Sequence, residues 1–219
     1  MKHVLLVALL SAAPVAFGQD AKADPFTGGY AQAGAGKAAV CGACHGPGGN
    51  SSNPEWPKLA GQHSSYTYGQ LQVLKSKARP SPVMNAQAAA LSDQDMRDLA
   101  AYFAAQKPTP GVASPDSVAV AEKLYRAGDA ARGLPACSAC HGPQGAGNAA
   151  AQYPRIGGQH AKYNAAVLRL LRSLEQQKIP QPAGVSAAHW QRFQTMSSIA
   201  AKLSDAEIDA LASYVNGLH

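Results

Sequence analysis

The motif Cys-x-x-Cys-His occurs twice in this chain of 219 residues, at positions 41–45 and 137–141, and the two copies use all four cysteines. On a helix, residues three and four positions apart lie on one face, so two thiols and an imidazole can meet the same flat ligand. This spacing is the attachment signature of c-type haem, in which the cysteines bond to the vinyl groups and the histidine ligates iron. We therefore expect two covalently bound haem c groups.

The motifs assign the covalent bonds and one axial ligand for each iron. The residues are Cys41, Cys44 and His45 in the first copy and Cys137, Cys140 and His141 in the second. A bare Cys-x-x-Cys can also be a thiol–disulfide redox pair or contribute zinc ligands. Two copies that both end in histidine favour haem over these alternatives.

The first residues are typical of a secretory signal peptide. Lys2 precedes an apolar run at 4–10 that is too short to span a bilayer, and the small residues Ala16 and Gly18 precede the polar Gln19. We expect residues 1–18 to be removed and the mature protein to lie outside the cytoplasm. No cysteine follows the apolar run, which argues against a lipoprotein anchor, and no later segment reads as a transmembrane helix.

The charge pattern does not favour nucleic-acid binding. Lys and Arg number 19 against 13 Asp and Glu, a formal net charge of +6. The propionates of two haems would offset most of this excess. The basic residues are spread along the chain without a run or interleaved aromatic residues, unlike a nucleic-acid interface.

The two motifs lie within a longer internal duplication. Residues 56–63 match 153–160, and residues 91–102 match 203–214. Matching segments in the same order predict two copies of one haem domain.

A proline-rich segment separates the copies. We place the first domain at 19–108, the linker at 109–115 and the second domain at 116–219. The short linker predicts that the domains pack against each other. The second copy has extra residues at about 176–184, which we interpret as a surface loop.

The local patterns predict an all-α protein. Ser92 and Ser204 are each followed three residues later by an acid, which is a capping-box pattern at the start of each domain's final helix. Helical periodicity predicts a middle helix over 65–78 and another over 161–176, and a first helix of the second domain over 117–127. Alternating strand patterns are absent from the sequence.

The duplication identifies candidates for the second axial ligand. Met84 and Met196 each lie seven residues before the leucine that opens the matched final segments, whereas Met96 aligns with Ile208. A thioether that isoleucine can replace fills a core. We therefore expect Met84 and Met196 to be distal ligands, giving two six-coordinate His/Met irons, the ligation that raises reduction potential.

Other histidines offer a bis-His alternative. His63 and His160 are matched across the duplication. We favour a hydrogen-bonding role near a loop for both, because each precedes a middle helix and methionine already fits the distal position. His189 and His219 have no counterpart, and we expect them on the surface.

Three further pairs are matched around the motifs. They are Pro47 with Pro143, Lys58 with Arg155, and Tyr66 with Tyr163. A backbone carbonyl near the prolines could accept the Nδ1 proton of the ligand histidine. The cations could face propionates or be solvated, and the tyrosines could reach a propionate or the domain interface.

The chain resembles dihaem cytochrome c4, a family of the class I cytochrome c superfamily. The segments that carry the resemblance are 39–46, 57–62, 135–142, 157–160 and 200–205. It implies two tandem class I cytochrome c domains related by pseudo-twofold symmetry, in a periplasmic electron carrier. The implied electron acceptor is a terminal oxidase, commonly of the cbb3 type. The implied donor is an upstream quinol-oxidising complex or another cytochrome. Peripheral contact with the membrane is compatible with this role. The 176–184 segment departs from the family pattern.

The rival function is a dihaem redox enzyme of the peroxidase or thiosulfate-oxidising type. Such an enzyme needs one open or labile haem, and the matched Met84 and Met196 argue against that asymmetry. An iron with both axial sites taken by protein can pass an electron but has no vacancy for a substrate. We therefore expect an electron-transfer protein rather than an enzyme.

Overall fold

The regular secondary structure of the part that the structure describes is helical, with loops between the helices. The computed structural model describes residues 22–219, so the expected signal peptide at 1–18 and its cleavage near Gln19 lie outside the described residues. Within this range there is no named strand and ten α-helices occur. The helices are α1 (Ala31–Lys37), α2 (Ala39–His45), α3 (Ser64–Lys75), α4 (Pro82–Ala89), α5 (Asp93–Ala104), α6 (Pro115–Ala127), α7 (Ser138–His141), α8 (Ala161–Glu175), α9 (Ala187–Ala200) and α10 (Asp205–Asn216).

The helices form two similar sets. In the first set α1 packs against α5 and α3 packs against α5, and in the second set α6 and α8 both pack against α10. The same arrangement of first, middle and final helix in both sets confirms the expected all-α duplication. The domain limits at 19–108, 109–115 and 116–219 stay predictions.

Capping chemistry starts each final helix where the sequence predicts. The Ser92 hydroxyl accepts a hydrogen bond from the Asp95 N–H while the Asp95 carboxylate accepts one from the Ser92 N–H, and Ser204 and Glu207 repeat the box. Each box satisfies backbone donors that the first turn of a helix leaves without partners. The middle helices also agree with their predictions to within three residues at either end. Helices α1, α4 and α9 were not predicted.

The crossing of α1 and α5 depends on a glycine. A Cβ at Gly34 would lie 2.1 Å from the Asp98 carbonyl oxygen, so only a residue without a side chain permits this approach. Lys37, one turn later, donates to Asp98 at 2.7 Å and to Asp95 at 2.7 Å. Leu99 and Phe103 of α5 are buried in the same core. Met96 is also buried, as expected for a core methionine.

The second set has the larger core and a longer α9. Tyr125 of α6 and Ile208 of α10 are fully buried. Helix α9 has 14 residues whereas α4 has 8.

The inserted segment at about 176–184 is coil, as expected. It is not entirely a surface loop, because Ile179 packs against an apolar cluster that contains Val185. Burying these apolar side chains stabilises the loop against the helices.

The two sets pack against each other, as the short linker predicts. Val73 of α3 is fully buried in a cluster whose other buried members, including Leu171 and Trp190, belong to the second set. Glu55 and Lys162 form an ion pair across the interface at 2.7 Å.

The expectation that His189 lies on the surface was wrong. This residue is 4% exposed, because the start of α9 folds back onto α3. His219 is exposed, as expected.

Candidate haem sites and the domain interface

The two Cys-x-x-Cys-His motifs lie on short helices. Helix α2 contains the first motif, and α7 contains the second from its second residue onward, with Cys137 just before it in helical backbone conformation at φ −61° and ψ −35°. The first cysteine of each motif is half-buried and the second is exposed, and none is paired in a disulfide. Helical spacing therefore keeps both thiols of a motif within reach of one ligand.

The motif histidines are buried and held through one ring nitrogen. Nδ1 of His45 lies 2.9 Å from the Pro57 carbonyl oxygen, and Nδ1 of His141 lies 2.9 Å from the Pro154 carbonyl oxygen. A carbonyl can only accept, so Nδ1 carries the proton and Nε2 keeps the lone pair that a metal needs. We expected the acceptor near Pro47 and Pro143. It comes instead from a later proline of the returning loop.

Burial keeps these histidines in the form that ligates metal. Desolvation lowers the pKa of both His45 and His141, and the carbonyl bond opposes this only in part. A neutral imidazole is the ligand form. The arrangement thus selects both the protonation state and the tautomer.

A glycine follows each motif for a geometric reason. Gly46 has φ 76° and Gly142 has φ 75°, the left-handed region that residues with a side chain rarely adopt. A Cβ at Gly46 would also lie 2.5 Å from the Asn50 carbonyl oxygen. The sharp turn after the histidine lets the chain return toward Pro57 and Pro154.

The two matched methionines occupy equivalent places between the middle and final helices. Met84 lies on α4 and Met196 on α9, and both are half-buried. Met196 packs at the edge of the apolar cluster that includes Trp190 and Phe193. Each methionine thus remains a candidate for the distal ligand of its own domain.

The second domain contains buried donors that no described residue satisfies. They are Arg155 Nε, His189 Nδ1, Trp190 Nε1 and Arg192 Nε. A buried N–H without an acceptor costs about 1–3 kcal/mol, so three such donors within four residues of α9 indicate a missing acceptor. A c-type haem brings two carboxylates into its domain. The residues present therefore fit a haem in chemistry as well as in motif.

Comparisons with known proteins also indicate a haem-binding cytochrome c. The chain matches the family model described as cytochrome c at residues 31–107 and 121–219. It is 47% identical over 200 residues to cytochrome c4 of Azotobacter vinelandii, covering 87% of this chain and 90% of that protein. The chain belongs to the cytochrome c4 family.

A solved structure and a second group of relatives extend the comparison. Reduced recombinant cytochrome c4 from Pseudomonas stutzeri superposes with a TM-score of 0.77 at 44% identity, covering 87% of this chain and all of that one. A thiosulfate dehydrogenase electron acceptor of Stutzerimonas stutzeri is 36% identical, over 84% of this chain and 82% of that protein. As a cytochrome c4 family member the chain carries two covalently bound haem c groups and is an electron-transfer protein, not an enzyme.

The interface of this cytochrome c4 family member is built from matched residues. Gln62 Nε2 donates to the Arg155 carbonyl at 2.8 Å and its Oε1 accepts from the Arg155 N–H at 2.9 Å. Gln159 makes the same pair of bonds to the backbone of Lys58, at 2.8 and 2.9 Å. This exchange gives the interface the pseudo-twofold symmetry implied by the duplication.

The histidines next to these glutamines also cross the interface. Nε2 of His63 bonds to the Ala146 carbonyl at 2.9 Å, and Nε2 of His160 bonds to the Ser51 carbonyl at 2.8 Å. The expected hydrogen-bonding role near a loop is confirmed. The loop belongs to the opposite domain, which the sequence did not indicate.

Other matched pairs differ between the two domains. Lys58 Nζ donates to the linker carbonyls of Thr109 and Pro110, whereas Nε of its counterpart Arg155 has no partner among the described residues. The Tyr163 hydroxyl accepts from Arg79 of the first domain at 3.0 Å, so this tyrosine does reach the interface.

No helix among residues 22–219 combines the length and apolar composition needed to cross a bilayer.

Proposed function

We propose that this cytochrome c4 family member shuttles electrons in the periplasm, from a quinol-oxidising complex or another cytochrome to a terminal oxidase. Its two irons are each ligated by a histidine and a methionine, His45 with Met84 and His141 with Met196. The observation that carries the proposal is the hydrogen bond from each motif histidine to a proline carbonyl, which leaves Nε2 free for iron in both domains.

The methionine ligands are supported by their placement. Met84 and Met196 lie seven residues before equivalent leucines and on equivalent helices, whereas the remaining described methionine, Met96, is buried on α5. A haem supplies one-electron chemistry when it is bound. The chain's residues contribute the axial ligands, exclude water from the histidine side and fix the imidazole orientation.

The periplasmic location is supported by the first residues and by the cofactor. The segment 1–18 has the pattern of a signal peptide. Amino-terminal sequencing of protein purified from a periplasmic extract should give a start near Gln19. A variant without residues 1–18 should accumulate as colourless protein in the cytoplasm if haem attachment requires export. Red, fully loaded protein in the cytoplasm would contradict the proposed location.

The terminal-oxidase partner is favoured over a thiosulfate dehydrogenase by degree of similarity. The relatives named as thiosulfate dehydrogenase electron acceptors are 34–36% identical, below the 43–47% of those named cytochrome c4. Membrane vesicles with a cbb3-type oxidase should reoxidise the reduced protein with oxygen uptake. Reduction by thiosulfate dehydrogenase, combined with no reoxidation by the vesicles, would reject the oxidase assignment.

Carbon monoxide tests the axial ligation. The reduced protein should bind little carbon monoxide at neutral pH, because both axial positions of each iron are taken by side chains. Rapid and stoichiometric binding to one haem would show an open site and reject the carrier with two closed irons.

A further inference from the structure

Helix α9 carries about two turns that have no counterpart in the first domain. It begins at Ala187, nine residues before Met196, whereas α4 begins at Pro82, two residues before Met84. The added turns hold His189 and Arg192. The helix that carries Met84 therefore has no residues equivalent to these two.

A chain of hydrogen bonds fixes the tautomer of His189. Arg79 Nη1 donates to Gln70 Oε1 at 2.6 Å, which turns the amide nitrogen of Gln70 toward His189. That nitrogen lies 3.2 Å from Nε2 of His189 and can only donate, so Nε2 accepts and Nδ1 carries the proton. Burial, and then the charge of Arg192, lower the pKa of His189 to about 4, which keeps the ring neutral at pH 7. Its Nδ1–H is buried without an acceptor among the described residues.

Arg192 presents a second unsatisfied donor. Its guanidinium lies 5.6 Å from the ring centroid of Tyr153, and Nη1 donates to the Ala188 carbonyl at 2.7 Å. Its Nε–H is buried and has no partner among the described residues. Tyr153 directly precedes Pro154, whose carbonyl holds His141, so Arg192 lies beside the loop of the second haem motif.

The two donors share a helix face with the proposed distal ligand. His189, Arg192 and Met196 are spaced by three and four residues, which places them along one stripe of α9. The face that holds the proposed ligand Met196 thus also holds two N–H groups that have no acceptor among residues 22–219. A haem carries two carboxylates, its propionates, and either would supply the acceptor that these donors lack among the described residues.

We infer that His189 Nδ1–H and Arg192 Nε–H together bind a propionate of the second haem and thereby raise the reduction potential of that haem relative to a site without them. The inference rests on the proposed function, in which Met196 ligates the second iron. A fixed positive charge near the haem favours the reduced iron because reduction lowers the positive charge of the centre. The position corresponding to Arg192 in the first domain, counted back from Met84, is Pro80.

The first domain holds this pair in place. Tyr163 accepts from Arg79, Arg79 donates to Gln70, and Gln70 donates to His189, so the chain of bonds runs from the second domain into the first and back. The charged end of the second haem is in this way linked to the domain interface.

The test is a redox titration of the intact dihaem protein. The two haems are distinguished by the proton NMR signals of their ligand-methionine methyl groups, assigned with Met84→Ala. Arg192→Gln should lower the reduction potential of the second haem by about 59 mV. For one electron, this changes the equilibrium distribution between the two haems about tenfold. Arg192→Lys should restore part of the shift. His189→Phe keeps a ring over Gly69 and should produce a smaller shift of the same sign.

Control variants separate this inference from structural effects. Arg126→Gln removes an exposed charge of the same domain and should leave the difference between the two potentials unchanged. Unchanged potentials in both Arg192→Gln and His189→Phe, or equal shifts of both haems, would overturn the inference. Lower thermal stability without a selective shift would show a purely structural role and also overturn it. If Met196→Ala keeps the sulfur-to-iron band of the second haem, the ligand proposal itself fails, which is a distinguishable result.

Discussion

Gln62 and Gln159 make the same pair of side-chain-to-backbone hydrogen bonds in opposite directions across the domain interface. Each amide binds both the N–H and the carbonyl of one residue in the other domain, as a neighbouring strand would. Both glutamines are buried, at 8% exposure. Two polar contacts related by the duplication therefore contribute equally to how the haem domains face each other.

Truncating either glutamine should weaken the interface. Gln62→Ala leaves the Arg155 N–H and carbonyl without their partner, and we expect the free energy of unfolding to fall by about 2 kcal/mol. Gln159→Ala should have a similar effect because its contacts are equivalent. Chemical unfolding at pH 7 measures both. Gln32→Ala, on the exposed face of α1, is the matched control and should change stability by less than about 0.5 kcal/mol; equal losses in all three variants would contradict the assignment.

The methionine ligands can be tested one at a time. Met84→Ala or Met196→Ala should remove the weak long-wavelength sulfur-to-iron band of one haem and lower its potential, because a thioether favours the reduced iron. Absorption spectra of the oxidised protein measure this. Met96→Leu should keep both bands, since Met96 lies in the core. A full band in either alanine variant would exclude the replaced residue as a ligand.

Gly69 is where α3 admits the imidazole of His189. A Cβ at this position would lie 2.3 Å from His189 Nδ1, so Gly69→Ala should displace the ring and destabilise the protein by about 1–3 kcal/mol. Gly36→Ala on α1 is the control, because its Cβ would have no atom within 4 Å. That variant should stabilise the protein by about 0.5–1 kcal/mol through a higher helix propensity. Thermal unfolding of both variants distinguishes the outcomes, and equal stabilisation would show that α9 does not pack on Gly69.

The ion pair of Glu207 predicts an acid dependence of stability. Hydrogen bonds from Arg132, and then from the backbone N–H of Ser204, lower the pKa of Glu207 to about 2 from an ordinary value of 4.5. A carboxyl with a depressed folded-state pKa contributes stability above its unfolded pKa, and the contribution is lost as the pH falls from about 4.5 to about 2.

Comparing Glu207→Gln with the parent protein in unfolding experiments from pH 7 to pH 2.5 tests this dependence. The difference in unfolding free energy should be constant above pH 5 and shrink toward pH 2. Glu122→Gln removes the exposed ion pair with Arg126 and should change stability by less than about 1 kcal/mol at any pH. A difference for Glu207→Gln that does not vary with pH would argue against the depressed pKa.

The sequence predicted the features that depend on short and fixed spacings. The haem motifs, the capping boxes at Ser92 and Ser204 and the core position of Met96 each follow from residues a few positions apart, where helix geometry leaves little choice. The duplication added a second comparison within one chain. It distinguished Met84 from Met96, which composition alone could not do.

The tertiary structure decided the contacts between residues that are far apart in the chain. The partners of Gln62 and Gln159 lie 93 and 101 residues away, and no local pattern encodes such a pairing. His189 looked like a surface residue because it has no counterpart, yet the fold buries it against a glycine of the other domain. Local spacing fixes which atoms can ligate or cap, whereas burial and interdomain hydrogen bonds depend on how the two copies meet, which only their combined surfaces determine.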